Sequence, residues 1–160
     1  MAAKNDPVPV RETEKPLELT ITRRFDAPAR LVFNAWSRAE FQAQWLGPAG
    51  FTVPSCEVDF RVGGKYRAHI RSPEGADFVL YGVYREIIEP SRLVFTFAWE
   101  EEGERGLETL VTITFAAHGD KTTMVFTQAP FQSVAERDGH FGGWSECLDK
   151  LAAYAAKLAA

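Results

Sequence analysis

The chain has 160 residues, a formal net charge of −4 and a pI near 5.4. This length is typical of one domain that buries its own core, and the acidic balance without a dense basic run argues against a nucleic-acid partner. Hydrophobic residues make up 46% and charged residues 25%, which excludes the disordered class. Aromatic residues reach 12%, which suits an interior lined by rings.

Targeting and redox signals are sparse. The first residues lack the apolar stretch of a signal peptide, and no window approaches the roughly 18 apolar residues of a membrane span. Cys56 and Cys147 are too few for a disulfide framework, although a single bridge between them stays open. We therefore expect a cytoplasmic protein that does not associate with membranes.

The first strand is predicted to follow a polar tail. Residues 1–16 carry three prolines among charged residues and are expected to be a disordered N-terminal tail. From Leu17 the sequence alternates, with Leu19, Ile21 and Phe25 on the same face, which indicates a half-buried strand. We place a single domain over residues 17–158.

Two short helices are predicted next. Asp26 is placed to cap the first, which carries Trp36 at helical spacing, and the second ends at Gly47-Pro48, since neither residue extends a helix well. Strand patterns then follow, separated by turn signals at Gly63-Gly64, Pro73-Glu74-Gly75, Pro90-Ser91 and His118-Gly119-Asp120. The inward side of residues 78–88 cannot be assigned, because this segment is apolar on both faces.

The remaining elements complete an α+β pattern. The acidic run Glu100 to Glu104 is predicted to be a solvated loop. The C-terminal segment changes to a helical period, and its apolar stripe comprises Trp144, Leu148, Leu151, Ala155 and Leu158. One strand, two short helices, six further strands and a long helix make up the predicted order.

Several motifs in this order resemble those of one family. They include Arg24-Phe25-Asp26-Ala27-Pro28, Val32-Phe33, Ala35-Trp36, Trp45-Leu46-Gly47-Pro48, Glu57, Asp59, Arg61, Gly63-Gly64, Pro73-Glu74-Gly75, Gly82, Glu86, Pro90, Arg92-Leu93, Gly143-Trp144 and Leu148. The chain resembles homologues of the heat-shock protein 90 ATPase activator, in the START-like or SRPBCC superfamily, across Leu17 to Leu158. The resemblance implies a helix-grip (START/Bet v 1-like) fold: a curved antiparallel sheet of about seven strands, two short helices and a long C-terminal helix enclosing a cavity.

The resemblance does not specify an activity. Relatives include ligand carriers, resistance proteins, aromatic cyclases and a chaperone co-factor, so function is argued from the site. Many relatives have a second Trp where this chain has Leu46, and a His often stands where it has Gln128. These departures argue against ring stacking at the first position and titration at the second.

The candidate ligand-binding residues are mainly inward-facing rings. They are Trp36, Trp45, Phe60, Tyr66, Tyr84, Glu86, Phe97, Trp99, Phe126, Trp144 and Leu148. These residues are sufficient to wall a pocket of roughly 300 to 1,000 Å³. The alternative for each ring is simple core packing.

Polar and charged candidates favour structural roles. Glu57, Asp59 and Arg61 alternate on the face opposite the apolar one, so exposed cross-strand pairing is expected. Glu86 is either an inward carboxylate suited to proton transfer or a member of an ion pair with Arg85 or Arg67. His69, His118 and His140 have no metal-ligand spacing, and we expect no metal, no cofactor and no covalent catalysis by Ser145 or Cys147.

These sequence features and the resemblance lead to three functional hypotheses. The leading hypothesis is a protein that binds a small hydrophobic or aromatic ligand in its cavity without chemistry, as a monomer or homodimer. The second is a cyclase or hydrolase that uses Glu86 or Tyr66 for proton transfer. The third is a regulator of the heat-shock protein 90 chaperone, which ranks last because about sixteen N-terminal residues are too few for the additional domain of the co-chaperone type.

Overall fold

The computed structural model describes residues 17–101, 104–105 and 107–160; the predicted tail over residues 1–16 lies outside these ranges. The strands are β1 Leu17–Phe25, β2 Thr52–Val58, β3 Lys65–Arg71, β4 Asp77–Ile88, β5 Arg92–Glu101, β6 Glu104–Arg105, β7 Thr109–His118 and β8 Lys121–Phe131. The helices are α1 Ala29–Asn34, α2 Ala39–Gln42 and α3 Val134–Ala159. Within the described residues, no helix combines the length and apolar character needed to cross a bilayer.

Seven strands form one antiparallel sheet in the order β1-β8-β7-β5-β4-β3-β2. The two-residue strand β6 pairs with the end of β5, so Glu100 and Glu101 belong to strand pairing rather than to the solvated loop that the acidic run predicted. The helices α1 and α2 connect the two edge strands, β1 and β2. The predicted α+β class, with about seven strands, two short helices and a long C-terminal helix, is confirmed.

Ser133 caps the start of helix α3. The Ser133 Oγ accepts a hydrogen bond from the Glu136 backbone N–H at 3.0 Å, and the Glu136 Oε1 accepts one from the Gln132 N–H at 2.8 Å. The first contact satisfies an N–H group that the helix itself leaves without a partner, and the second ties the residue before the cap to the first turn. The sequence pattern Ser-x-x-Glu therefore fixes where the long helix starts.

The C-terminal half of α3 carries large buried side chains. Leu148, Leu151 and Ala155 are buried as predicted, whereas Leu158 is 48% exposed, because the helix extends beyond the core there. Arg23 of β1 donates to the Ser145 carbonyl and to Asp149 Oδ1, each at 2.8 Å. This arginine ties the first strand to the helix that lies across the sheet.

A bulge in β4 decides the orientation that the sequence left open. Leu80 and Tyr84 are buried on the inner face, and the pairing with β5 shifts by one residue between Tyr84 and Glu86. Because side chains alternate along a strand, this shift turns Glu86 to the outer face. There its Oε1 accepts a 2.9 Å hydrogen bond from the Arg92 Nε.

One predicted helix cap is wrong. Pro28 is the N-cap residue of α1, and no side chain makes the cap hydrogen bond. Asp26 instead pairs with Lys121 across the β7–β8 hairpin end. The short helix α1 is held by burial of Val32 and Phe33 rather than by its cap.

Candidate ligand cavity

A cavity of about 350 Å³ lies between the sheet and the N-terminal half of α3. Ile70 of β3, Leu80 of β4, and Phe97 and Trp99 of β5 form its sheet wall. Its size falls in the range of small-molecule sites, and most of its lining is apolar. This space lies toward the start of the terminal helix and is compatible with the predicted hollow between sheet and helix.

Space remains along the helix wall of the cavity because three of the α3 residues there are small, namely Ala135, Gly139 and Gly143. Its cavity-lining residues are Ala135, Glu136, Gly139, His140, Gly143, Trp144 and Cys147, which recur at intervals of three or four along one face. A Cβ atom built on Gly139 meets no atom within 4 Å, and one on Gly143 meets only Pro48 Cγ, at 3.7 Å. The cavity therefore occupies space that larger side chains at these positions would fill.

The third wall is the Leu46-Gly47-Pro48 loop, which one turn of α3 holds in place. Lys150 Nζ donates to the Leu46 and Pro48 carbonyls at 3.3 Å each, and Glu146 Oε1 accepts the Ala49 N–H at 3.0 Å. Gly47 has a positive φ of 93°, which favours glycine at this position. The loop backbone is thus fixed against the helix that supplies the opposite side of the cavity.

Polar contacts orient two rings of the cavity. The Trp99 indole N–H donates to His140 Nε2 at 2.8 Å, while His140 Nδ1 lies 2.9 Å from the Glu136 carbonyl oxygen. The Trp144 N–H donates to Gln128 Oε1 at 2.9 Å, and the Gln128 Nε2 donates to Thr109 Oγ1. In the first pair of contacts Nε2 of His140 is the acceptor, because an indole N–H can only donate, and Nδ1 is left to contact the Glu136 carbonyl.

The cavity opens onto a surface groove. A groove of about 420 Å³ shares Pro48, Ile70 and Trp99 with the cavity and continues past Phe51 and Phe78. Phe78 is 43% exposed and its ring lies 6.1 Å from that of Trp99. Aromatic side chains therefore line the route between solvent and the cavity.

Apart from Glu86, the predicted site residues fall into three groups. Phe97, Trp99 and Trp144 line the cavity. Trp36, Trp45, Tyr66 and Tyr84 line an adjoining void of about 20 Å³, shared with Phe97 and Trp144, and do not line the cavity. Phe60, Phe126 and Leu148 line neither space.

The third group packs in the core. Phe126 and Leu148 have no exposed surface, and the Phe126 ring lies 4.6 Å from that of Trp144. Phe60 makes edge contacts with Tyr84 and Phe33, at 5.1 and 6.0 Å. These residues therefore pack in the core, which was the alternative prediction for every ring.

Glu86 does not line the cavity, contrary to its prediction as a ligand-binding residue. The β4 bulge turns it outward, where it pairs with Arg92 and lies outside both the cavity and the void. Its ion-pair partner is therefore Arg92 and not Arg85 or Arg67, which the sequence analysis named. Glu57, Asp59 and Arg61 are exposed as expected, but the 2.9 Å pair of Asp59 with Arg61 joins residues two apart in sequence and not residues on opposite strands.

Sequence reasoning missed the residues that make the cavity open. Gly139 and Gly143 lie four residues apart on the side of α3 that lines the cavity, and Leu46 and Leu80 line both the cavity and the void. The sequence does carry a signal for this space, because small residues at helical spacing leave room where the following turns of the same helix carry leucine. The role of His140 was less accessible, since it depends on Trp99, 41 positions away in sequence.

Burial holds several thiol and phenol groups of the chain in their neutral form. Burial raises the pKa of the Cys147 thiol to about 12 and that of Cys56 to about 11. Burial also raises the pKa of Tyr66 well above its ordinary value, and Tyr66 donates to the Thr96 carbonyl at 2.6 Å. Both cysteines are free thiols, so the bridge that the sequence left open is not formed. Across the described residues, no group of three or more His, Cys, Asp or Glu side chains is arranged to hold a metal ion.

A second groove, on the outer face of the sheet, is larger but charged. It has a volume of about 440 Å³ and is lined by groups that include Lys65, Arg67 and Glu100. Arg67 and Glu100 form an ion pair at 3.2 Å in which the arginine is half exposed. Exposed pairs of this kind are ordinary sheet surface. The inner cavity is therefore the stronger candidate for a ligand site.

Solved structures share this fold. A protein from Rhizobium leguminosarum superposes with a TM-score of 0.78 at 26% identity, covering 89% of this chain and 96% of its own. One from Chromobacterium violaceum gives 0.77 at 26% identity, covering 87% and 96%. An AHSA1 protein from Silicibacter pomeroyi gives 0.77 at 24% identity, covering 86% and 96%, and supports the fold alone. No curated protein sequence matches the chain.

The family comparison covers most of the domain. The model of the family described as Activator of Hsp90 ATPase homolog 1-like protein matches residues 26–156, which include both short helices, β2 to β8 and nearly all of α3. The match thus includes all three walls of the cavity. The chain belongs to the Activator of Hsp90 ATPase homolog 1-like protein family, within the SRPBCC superfamily.

Proposed function

We propose that the protein binds a small, mostly apolar or aromatic molecule in the cavity between the sheet and α3, without chemical conversion. The observation that carries this proposal is the cavity of about 350 Å³, walled by Phe97, Trp99 and Trp144 and left open by Gly139 and Gly143. Apolar surface that stays in contact with water is costly at about 25 cal/mol per Å², so an apolar ligand gains free energy by covering it. The groove past Phe51 and Phe78 supplies a route of entry.

The test is a search for bound and added ligands. Native mass spectrometry of the purified protein is expected to show a small-molecule adduct, or the protein is expected to show a raised Tm with added hydrophobic compounds. Neither an adduct nor a Tm shift across alkyl, monocyclic and polycyclic aromatic compounds would contradict the proposal.

Proton transfer by the two residues first considered has little support. Glu86 faces the outer surface in an ion pair, and the Tyr66 hydroxyl is hydrogen-bonded to the Thr96 carbonyl. Two other titratable residues, Glu136 and His140, line the cavity. The contacts of Glu136 with the start of α3 and of His140 with Trp99 already occupy these groups. The proposal is therefore of binding rather than catalysis.

Regulation of a chaperone is an alternative function that the family description suggests. It rests on that description alone, and a pull-down with Hsp90 that retains the protein would favour it. A cytoplasmic location is also part of our proposal, because two free thiols, Cys56 and Cys147, suit a reducing compartment.

A further inference from the structure

One buried tryptophan lacks a hydrogen-bond partner. Among the buried side-chain nitrogen and oxygen atoms of the described residues, only Nε1 of Trp36 makes no hydrogen bond. Two other buried indoles are satisfied, since Trp45 donates to the Ala35 carbonyl at 3.1 Å and Trp144 donates to Gln128. Leaving a buried donor unsatisfied is unfavourable, so an acceptor from outside the chain would be bound favourably there.

The Trp36 ring lines the void of about 20 Å³, which has room for about one water-sized group. Nearby donors are already used: Gln42 Nε2 donates to the Trp36 carbonyl at 2.7 Å, and the Tyr66 hydroxyl donates to Thr96. Because an indole N–H is a donor only, the missing partner has to be an acceptor. The size of the void limits it to a single projecting atom.

The missing acceptor is also neutral. Among the described residues, no Lys, Arg or His side chain lines the void, so a buried anion would have no compensating charge from them. Burial raises the pKa of both Tyr66 and Tyr84, which keeps these neighbours uncharged. A carbonyl or ether oxygen meets these conditions, whereas a carboxylate does not.

The void adjoins the proposed ligand cavity. Leu46, Leu80, Phe97 and Trp144 line both spaces, so the void and the cavity meet at these four side chains. The Phe97 and Trp144 ring centroids are 5.8 Å apart at this junction. A ligand that packs against these rings lies beside the Trp36 side of the void.

We infer that the ligand of the cavity is a neutral aromatic or alicyclic molecule with one carbonyl or ether oxygen, which enters the void and accepts the Trp36 indole N–H. This inference rests on the proposed binding function and adds the chemical class of the ligand. Trp36 is then a specificity-determining residue, although it does not line the main cavity.

The test compares two probes of nearly equal shape. 2-Acetylnaphthalene carries a carbonyl oxygen where 2-isopropenylnaphthalene carries a CH₂ group. The wild-type protein is expected to bind the ketone about tenfold more tightly, as one additional hydrogen bond predicts. In Trp36→Phe, which removes the N–H, the ratio is expected to fall to about one while alkene affinity changes less than about threefold. An unchanged ratio in Trp36→Phe, or no ketone preference in the wild type, would overturn the inference while leaving the proposed function intact.

A crystal structure of the wild-type protein with 2-acetylnaphthalene gives a test that does not depend on a variant. The expected result is a carbonyl oxygen within about 2.7–3.2 Å of Trp36 Nε1. A water molecule retained in the void, with the carbonyl elsewhere, would contradict the inference. If neither probe binds the wild type in solution, the proposed function fails for this class of ligand and the inference fails with it.

Discussion

The two halves of helix α3 face the same sheet with opposite results. Its C-terminal half presents Leu148, Leu151 and Ala155, which have no exposed surface and close the core. Its N-terminal half presents Gly139 and Gly143 on the same side and leaves a cavity of about 350 Å³. The comparison shows that side-chain size on the helix, rather than the number of rings on the sheet, decides where the interior is hollow.

The aromatic residues themselves do not distinguish the two regions. Trp36 and Trp45 pack with ring centroids 4.6 Å apart beside a void of only about 20 Å³. Phe97 and Trp99 make a comparable contact at 5.3 Å, yet they face the cavity. A ring packs densely or lines a pocket according to what lies opposite it.

The largest expected difference between the regions is in stability. Phe126→Ala removes a fully buried ring from the solid region and is expected to lower the free energy of unfolding by about 3–5 kcal/mol. Trp99→Ala removes a half-buried ring and its hydrogen bond to His140 from the cavity wall, and is expected to cost less, about 1–2 kcal/mol, because part of this ring is already exposed to solvent. Urea denaturation of both variants measures the difference. Equal losses would mean that the cavity wall is packed as tightly as the core.

The sequence determined the fold more fully than the site. Alternation and turn residues were enough to predict the strands, and the change to a helical period marked α3. The orientation of Glu86 was not predictable, because the bulge after Tyr84 reverses the alternation of β4 without any sequence signal such as glycine or proline. The gap in Trp36 hydrogen bonding likewise depends on atoms from distant segments.

A smaller effect on stability is expected at alkaline pH from Cys147, which lies on α3 between the cavity and the solid core. Its pKa is raised by burial from the ordinary 9.0 to about 12. Between these values the unfolded chain releases the thiol proton while the folded protein retains it, so stability falls as pH rises. Cys147→Ala removes this contribution and is expected to lose about 1–2 kcal/mol less than the wild type between pH 8 and pH 10.5.

Denaturation curves at several pH values provide the measurement. Tyr66 and Tyr84, whose pKa values burial also raises, and Lys150 remain in both proteins, so their contributions largely cancel in the comparison. If both proteins lose the same stability, the Cys147 thiol is hydrated and the cavity is wet at this end.

The smallest expected effect concerns the loop that forms the third wall. Lys150→Met removes two hydrogen bonds to the Leu46 and Pro48 carbonyls and is expected to cost about 1 kcal/mol, a value reduced by partial exposure of the lysine. Hydrogen exchange at Gly47 and Ala49 is expected to increase. Lys157→Met, at an exposed position on the same helix, is the control and is expected to change neither quantity. Unchanged exchange in Lys150→Met would show that the loop is held by packing alone.

The most direct test of the account is a matched pair of glycine substitutions in α3. A Cβ on Gly139 or on Gly142 meets no atom within 4 Å, but only Gly139 lines the cavity. Binding of 2-acetylnaphthalene, followed by quenching of tryptophan fluorescence, is expected to weaken at least tenfold in Gly139→Phe and to remain within about twofold of the wild type in Gly142→Phe. Both variants are expected to fold at least as stably as the wild type, because each removes a glycine from a helix interior. Equal binding by the two variants would contradict the claim that the space opposite Gly139 is the ligand site.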